Sequence, residues 1–173
     1  CRVRVLDNLT VGTRGALAQI CEIKEVADKD LSRGPASRME LVVADVRDRK
    51  LAERVCRGVD AVFHLAANTG VIPSIEDPGT DCATNVIGTF HYLEAARLNS
   101  VKRFIFASSG APLGEQTPPI HEEMGPRPIS PYGASKLCGE AYCSAYYGSY
   151  GLETVALRFG NVYGPLSGHK NSV

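Results

Sequence analysis

Short apolar runs typical of strands alternate along the chain with longer segments of helical periodicity. The predicted strands are Arg2–Leu6, Met39–Val43, Ala61–Leu65, Arg103–Ala107 and Thr154–Leu157. The predicted helices are Thr13–Val26, Arg49–Cys56, Pro78–Asn99 and Pro131–Tyr150. Strands that alternate with helices form βαβ units, which build a parallel sheet covered by helices on both faces. The order of segments therefore predicts an α/β fold with a doubly wound parallel sheet.

Polar or small residues stand at the carboxyl end of four of these strands. They are Asp7-Asn8, Asp45-Val46, Ala66-Ala67 and Ser108-Ser109. One acid or serine at a loop start is common for capping alone. Four such ends together predict a ligand site, because ligands of doubly wound folds bind outside the carboxyl ends of the strands.

Tyr132 and Lys136 are four residues apart in the segment Tyr132-Gly-Ala-Ser-Lys136. That spacing places both side chains on one face of a helix, one turn apart. A protonated lysine near a phenol favours the phenolate, so we expect the pKa of Tyr132 to be lowered. A phenol tuned in this way is suited to take a proton from an alcohol or sugar hydroxyl.

Composition excludes several other classes of function. Lysine and arginine total 19 and aspartate and glutamate total 19, so no basic field predicts nucleic acid or a membrane surface as a partner. No apolar run approaches the roughly 20 residues that a membrane-spanning helix requires. The six cysteines form no Cys-x-x-Cys pair and the four histidines are scattered. We therefore expect reduced thiols, a cytoplasmic location and no metal site.

Seven motifs, in this order, resemble the extended short-chain dehydrogenase/reductases, and within them the NAD-dependent sugar-nucleotide epimerase/dehydratase family. They are Val5-Leu-Asp-Asn-Leu9, Ala44-Asp-Val46, His64-Leu-Ala-Ala67, Asn85-Val-Ile-Gly-Thr89, Phe106-Ala-Ser-Ser109, Ser130-Pro-Tyr-Gly-Ala-Ser-Lys136 and Leu157-Arg-Phe-Gly-Asn-Val-Tyr-Gly-Pro165. The resemblance spans nearly the whole chain. It implies a Rossmann-like fold, NAD as cofactor, a nucleotide sugar as substrate and a homodimer formed through Pro78–Asn99 and Pro131–Tyr150.

The resemblance implies a set of cofactor contacts at the strand ends. Asp7, beside Asn8, would hold the adenosine ribose and repel a 2′-phosphate, which favours NAD over NADP. Asp45 and Val46 would flank the adenine. The remaining implied contacts are Leu65, Ala66, Ala67, Asn85 and Phe159. Capping by Asp7, tight packing of the alanines, a surface or capping role for Asn85 and a core position for Phe159 are the alternatives.

The resemblance also implies which residues act on the substrate. Tyr132 would be the acid/base, and Lys136 would orient the nicotinamide ribose and tune Tyr132. Ser109 would hydrogen-bond the reacting hydroxyl, and Asn161 would lie near the substrate. Ser109, Tyr132 and Lys136 are therefore the predicted catalytic residues.

The residues after Ser109 favour one reaction of the family. Dehydratases of the family carry Asp and Glu after the position of Ser109, and decarboxylases tend to carry Glu at the position of Ala111. Here Gly110 and Ala111 follow, and neither transfers a proton. We therefore expect 4-epimerisation, most like the UDP-glucose and UDP-N-acetylglucosamine 4-epimerases. A dehydratase, a decarboxylase, a keto-reductase or a non-catalytic NAD-binding module are the alternatives.

Some family features are absent from the sequence. Thr69 stands where some galactose epimerases carry a lysine, and Pro112-Leu113-Gly114 stands where many members carry Val-Tyr-Gly. No Gly-x-x-Gly-x-x-Gly phosphate loop is present, and the family's first strand and C-terminal substrate domain are missing. We therefore expect residues 1–173 to be part of an NAD-binding domain and a fragment of a longer enzyme. In this fold the missing strand would lie between Arg2–Leu6 and Ala61–Leu65. We predict that residues 1–173 alone fold poorly and bind NAD weakly, because both neighbouring strands would have unpaired edges.

Overall fold

Six parallel strands form two three-stranded sheets in the computed structural model, which describes residues 1–162 and 164. The strands are β1 (Val3–Asp7), β2 (Lys24–Glu25), β3 (Met39–Val43), β4 (Ala61–His64), β5 (Arg103–Ser109) and β6 (Glu153–Phe159). The predicted α/β fold with parallel sheets is confirmed. Tyr163 and Pro165 of the last predicted motif lie outside the described residues.

The two sheets have the orders β2-β3-β1 and β4-β5-β6. Within the described part of the chain, β1 pairs only with β3 and β4 pairs only with β5, so each has one unpaired edge. These are the two strands between which the sequence predicts a further strand. Phe63 on β4 is 68% exposed, which is unusual for an aromatic side chain on a strand of this fold.

Helices connect the strands. They are α1 (Arg14–Ala18), α2 (Arg49–Val55), α3 (Val71–Glu76), α4 (Pro78–Asp81), α5 (Thr89–Leu98) and α6 (Pro131–Tyr150). A π-helical segment, Cys82–Gly88, joins α4 to α5. Short 3₁₀ turns lie at Asp28–Asp30 and Ala111–Leu113.

One hydrophobic core joins the two sheets. It contains Val42 of β3, Leu51 of α2, Leu93 of α5, and Phe104 and Phe106 of β5, all of them buried. Each of these side chains contributes about 1.5–3 kcal/mol when removed from water. The core therefore holds the carboxyl ends of both sheets in one body, although β1 and β4 are not hydrogen-bonded to each other.

The predicted helix over residues 13–26 is wrong beyond Ala18. The helix ends there, and Lys24–Glu25 pair in parallel with Glu40 and Leu41 of β3. Pairing with a distant strand replaced the local helical pattern, which sequence periodicity cannot detect. The sequence also gave no prediction of α3, a short helix that begins after Gly70 at φ 117°.

Helix α6 has the predicted bounds because its end signals are strong. The Ser130 side chain accepts a hydrogen bond from Gly133 N, and Pro131 occupies the first turn. Gly151 ends the helix in the left-handed conformation, at φ 70°. This helix carries Tyr132 and Lys136, so its fixed start determines where both side chains lie.

Candidate functional site

The carboxyl ends of β1 and β3 bring together the acids predicted to bind the adenosine part of the cofactor. The Asp7 carboxylate accepts a hydrogen bond from Leu9 N at 2.6 Å, so Asp7 caps its own loop. Ala44 N donates to Asp7 O at 3.0 Å, which holds the end of β1 against the loop that carries Asp45. The structure thus places Asp7, Asn8 and Asp45 at one edge of the sheet, and capping accompanies the predicted role of Asp7.

Arg47 is a charged residue of this edge that the sequence analysis did not identify. Its guanidinium binds both carboxylate oxygens of Asp45, at 2.9 and 2.7 Å. These hydrogen bonds lower the pKa of Asp45 to about 2, although partial burial acts in the opposite direction. The only sequence signal was a basic residue two positions after a strand-end acid, which is too common to be informative.

The apolar residues predicted to contact the cofactor differ in their exposure. Val46 is buried in the core, and a Cβ added at Gly88 would lie 2.9 Å from its Cγ2 atom. Leu65 is 63% exposed. Ala66 and Ala67 are half-buried after β4, and Ala66 packs against the core. Val46 therefore supports the sheet edge from inside, whereas Leu65 and the two alanines line the loop that follows β4.

Ser109, Tyr132 and Lys136 come together where β5 meets the start of α6. The Lys136 ammonium donates a hydrogen bond to the Ala107 carbonyl oxygen at 2.7 Å. It lies 5.0 Å from the Phe106 ring centre and 5.8 Å from the Tyr132 ring centre. The backbone N–H of Tyr132 donates to the Ser74 hydroxyl at 3.1 Å, which fixes the first turn of α6 against α3.

The expected lowering of the Tyr132 pKa is not found in the cofactor-free chain. Burial raises the pKa of Tyr132, a hydrogen bond with Ser109 lowers it, and the negative field of Asp81 raises it. Burial also lowers the pKa of Lys136 to about 8, while the Asp81 charge opposes that change. The spacing of the two residues reflects only the lysine charge, whereas removal of both side chains from water dominates their pKa values here.

Asn85 is buried and is neither a surface nor a capping residue. Its side-chain oxygen accepts from Asn68 N at 2.7 Å. Its amide nitrogen lies within hydrogen-bond distance of Asn68 O, of Asp81 Oδ1 and of Ser135 Oγ, at 3.0, 2.8 and 3.2 Å. Asn85 therefore ties the loop after β4 to α4 and α6. Its polar atoms all have protein partners, and its predicted contact with the cofactor stays a prediction.

The π-helical turn explains why this asparagine faces inward. Asp81, Asn85 and Thr89 follow one another at intervals of four residues, and all three are buried. A π-helical turn is wider than an α-helical turn and is often found at functional sites. The wider turn keeps the three polar side chains on one inner face, where the Thr89 hydroxyl also meets His64 Nε2 at 3.0 Å.

Phe159 lies beside Ser109, because these two residues are paired in the β5–β6 register. Its ring is 41% exposed, so Phe159 is not a core residue in this structure. Asn161 follows in an exposed loop. The structure thus brings Phe159 to the predicted site, and Asn161 lies two residues beyond Phe159 in the chain.

The segment after Ser109 is a tight backbone turn. Gly110 N donates to Phe159 O at 3.1 Å, and Ala111 N donates to the Ser109 hydroxyl at 3.2 Å. Pro112 and Leu113 are buried. A Cβ added at Gly133 would lie 2.7 Å from the Ala111 carbonyl oxygen, so this turn packs closely against α6. It supplies no acid or base beside Ser109.

An ion pair that the sequence analysis did not identify supports this strand end. Arg158 on β6 binds both carboxylate oxygens of Glu140 on α6, at 2.9 and 2.7 Å. The Ser108 hydroxyl donates to the same carboxylate at 2.5 Å. Two parallel N–H···O bonds fix the relative orientation of their partners. This pair therefore holds Ser108, and with it Ser109, against α6.

Two further properties concern the part of the chain that the structure describes. Residues 1–162 and 164 contain no group of three or more His, Cys, Asp or Glu side chains arranged to hold a metal ion. No helix in the same residues is long and apolar enough to cross a membrane.

Comparison with known proteins agrees with this arrangement. The chain is 37% identical to a UDP-glucose 4-epimerase of Mycolicibacterium smegmatis, over 79% of the chain and 47% of that protein. It is 36% identical to a uronate dehydrogenase of Pseudomonas syringae, over 84% of the chain and 52% of that protein. The chain thus spans about half the length of these curated relatives.

A solved structure matches the fold as well. The dTDP-glucose 4,6-dehydratase of Streptomyces venezuelae, crystallised with NAD, superposes with a TM-score of 0.82 at 35% identity. The match covers 95% of this chain and 48% of that one. The model of the NAD dependent epimerase/dehydratase family matches residues 2–173. With its parallel sheets and its Ser109–Tyr132–Lys136 cluster, the chain belongs to this NAD-dependent family.

Proposed function

We propose that the full-length protein is a nucleotide-sugar 4-epimerase of the UDP-hexose type, in which residues 1–173 form part of the NAD-binding domain. The observation that carries this proposal is the turn after Ser109. The Ser109, Tyr132 and Lys136 side chains are gathered there, while Gly110 and Ala111 bring no acid or base to them. With one proton-transferring phenol, the simplest reaction is inversion at one carbon.

The residues at the strand ends fit NAD. Asp7 offers a carboxylate to the ribose hydroxyls, and its charge disfavours a 2′-phosphate. The half-buried Ala66 and Ala67 leave room for a cofactor close to the backbone. Phe159 presents an exposed ring next to Ser109. When bound, NAD supplies the acceptor that takes a hydride from C4 of the sugar and returns it, so that a transient 4-keto sugar connects the two epimers.

The chain's own residues handle the proton. Tyr132 takes the proton from the sugar hydroxyl and later gives it back, and Ser109 hydrogen-bonds that same hydroxyl. Lys136 holds its ammonium between Ala107 O and the two aromatic rings, where its positive charge favours the phenolate. Because burial alone raises the pKa of Tyr132, the phenol needs this charge to act near neutral pH.

Relatives with other activities define the alternatives. The uronate dehydrogenase relative favours a net oxidation or reduction as the second candidate function. A dehydratase or a decarboxylase needs further proton-transferring groups that positions 110 and 111 do not supply. A non-catalytic NAD-binding module has no need of Ser109, Tyr132 and Lys136 together.

We also propose that the full-length protein is a homodimer located in the cytoplasm. Tyr147 and Tyr150 on α6 and Leu98 on α5 are between 51% and 62% exposed, and burial of these side chains favours a homodimer through the two helices. The six cysteines are free thiols, which fits the reducing cytoplasm. The charge balance favours neither nucleic acid nor a membrane as a partner.

The test is to incubate the full-length protein with UDP-galactose, UDP-N-acetylgalactosamine and UDP-glucuronate, and to follow the sugar protons by NMR. We expect one substrate to give its 4-epimer without added NADH, and NAD to co-purify with the protein because each cycle regenerates it. A 4-keto-6-deoxy or decarboxylated product would overturn the proposal. Stoichiometric formation of NADH would favour the dehydrogenase alternative.

A further inference from the structure

Asp81 is a buried carboxylate directly behind the Tyr132–Lys136 pair. Its side chain is 1% exposed at the end of α4. Asp81 Oδ1 accepts a hydrogen bond from Asn85 Nδ2 at 2.8 Å, and the same amide nitrogen lies 3.2 Å from Ser135 Oγ. A buried carboxylate is costly unless it is hydrogen-bonded and near a positive charge. The Asp81 carboxylate has a hydrogen-bond partner, and it also requires a positive charge nearby.

Lys136 is the buried cation beside the network that holds Asp81. Ser135, whose Oγ lies 3.2 Å from the amide nitrogen that donates to Asp81, is the neighbour of Lys136 in the chain, and Lys136 is 3% exposed. Among the residues that the structure describes, no carboxylate lies within ion-pair distance of the Lys136 ammonium. Burial raises the pKa of Asp81 and lowers that of Lys136 to about 8, and the attraction between the two charges opposes both changes. Their attraction therefore acts across the buried interior rather than through a direct ion pair.

Other charged groups around α6 do not replace Asp81. His64 is buried and its pKa is lowered to about 3, so it is neutral near pH 7. Glu140 and Arg158 neutralise each other one turn farther along α6. On α3, α4, the π-helical segment and the first two turns of α6, the other titratable groups are the exposed Glu76, Asp77 and Cys82, the partly buried Cys138, and Tyr132 itself.

We propose that Asp81 is a positioning residue that keeps the buried Lys136 amine charged and in place, with its carboxylate held by the hydrogen bond from the Asn85 amide. This inference rests on the proposed function to the extent that a charged Lys136 tunes Tyr132. It assigns to Asp81 an electrostatic role, because hydrogen bonding alone would be served equally well by an asparagine.

The first test is Asp81→Asn in the full-length protein, with Asp77→Asn as the matched control. Asparagine keeps an acceptor oxygen for Asn85 and removes only the charge. Asp77 undergoes the same chemical change four residues earlier, at an exposed position where asparagine is an equally good N-cap. The titration of Lys136 is followed in cofactor-free protein by NMR of lysine labelled with ¹³C at Cε, and Lys136→Met assigns the signal.

We expect Lys136 in Asp81→Asn to titrate about one pH unit or more below the wild-type value, since a nearby opposite charge commonly shifts a pKa by 1–3. Asp77→Asn should titrate as wild type. In the active enzyme, the fall of kcat on the alkaline side should move to lower pH by a similar amount. A Lys136 signal that titrates at the wild-type pH in a folded Asp81→Asn variant would overturn the proposal.

A second measurement does not depend on whether Asp81→Asn folds. Coupling between two sites is reciprocal, so loss of the Lys136 charge must disfavour the Asp81 carboxylate. In Lys136→Met, we expect the ¹³Cγ signal of Asp81 to titrate at higher pH than in wild type, and an unchanged midpoint would contradict the coupling. Both titrations use protein without substrate, so a failure of the 4-epimerase proposal would appear only in the sugar products and would leave these results intact.

Discussion

The Lys136 ammonium donates a 2.7 Å hydrogen bond to the Ala107 carbonyl oxygen, and so links the second turn of α6 to the carboxyl end of β5. The residues that follow Ala107 are Ser108 and Ser109, and the residue one turn before Lys136 is Tyr132. One side chain thus fixes the distance between the two halves of the candidate site. Burial lowers the pKa of Lys136 to about 8, so it costs free energy to keep this amine charged in the folded chain.

Replacement of Lys136 should lower the affinity for NAD and leave the free energy of unfolding almost unchanged. Lys136→Met in the full-length protein removes a buried charge and keeps most of the side-chain volume. We expect the free energy of unfolding to change by less than about 1 kcal/mol, because relief from burying the charge offsets both the lost hydrogen bond and the lost attraction to the Asp81 carboxylate. NAD affinity should fall at least tenfold in a binding titration. A strongly destabilised variant, or one with wild-type NAD affinity, would contradict the role of Lys136.

Tyr132→Phe should abolish turnover and leave cofactor binding near wild type. The change removes the phenolic hydroxyl, and loss of a general acid/base typically lowers kcat by about 10²–10⁴-fold. Tyr147→Phe is the control, because Tyr147 is on the same helix and is 62% exposed. If Tyr132→Phe kept activity within a few-fold of wild type, Tyr132 would not be the acid/base.

Two glycines of α6 should respond in opposite directions to alanine. A Cβ at Gly139 would collide with the ring of Phe106, which is fully buried in the core. Overpacking of this kind costs about 1–3 kcal/mol. A Cβ at Gly148 would meet nothing within 4 Å, so Gly148→Ala should gain up to about 1 kcal/mol from helix propensity. Denaturant unfolding measures both variants, and equal effects would mean that α6 does not pack on Phe106 as described.

The buried His64 should make the protein sensitive to acid. Burial lowers the pKa of His64 from its ordinary value of 6.5 to about 3. Between these pH values, His64 is protonated in the unfolded chain and neutral in the folded chain. Stability is therefore complete above pH 6.5 and falls as the pH decreases towards 3. Between about pH 6.5 and 4.5, most carboxylates are still ionised, and His64 dominates this slope.

His64→Gln isolates the contribution of His64 to this pH dependence. His121→Gln is the control, because His121 is exposed. Unfolding free energies measured at several pH values between 6.5 and 4.5 should show a smaller slope for His64→Gln. The His121→Gln slope should equal that of wild type. Equal slopes in all three proteins would mean that His64 does not cause the loss of stability at low pH.

The sequence predicted those features that local signals encode. Ser130, Pro131 and Gly151 define α6, and the polar strand ends predicted the edge where Asp7, Asn8 and Asp45 meet. The end of α1 and the short strand β2 were not predictable, because Lys24 and Glu25 pair with a strand about fifteen residues away in the chain. Strand pairing is a tertiary contact that periodicity does not contain.

Electrostatics at the site was the part that sequence spacing predicted least well. A Tyr and a Lys one turn apart predicted a lowered phenol pKa, but the depth of burial of each group determines the outcome and depends on the whole core. Asn85 shows the same limit: its partners Asn68 and Ser135 lie 17 and 50 residues away in the chain. Only the folded structure shows that its amide joins them.

The most direct test of 4-epimerisation is to run the full-length enzyme in D₂O with each of the three UDP-sugars and to record the ¹H NMR spectra of the products. The account predicts that one of them gives a 4-epimer that keeps the substrate's own hydrogen at C4, with no deuterium at C5 or C6 and no net NADH. Tyr132→Phe should give no product under the same conditions. A 4-keto product, or deuterium at C5 or C6, would contradict the account.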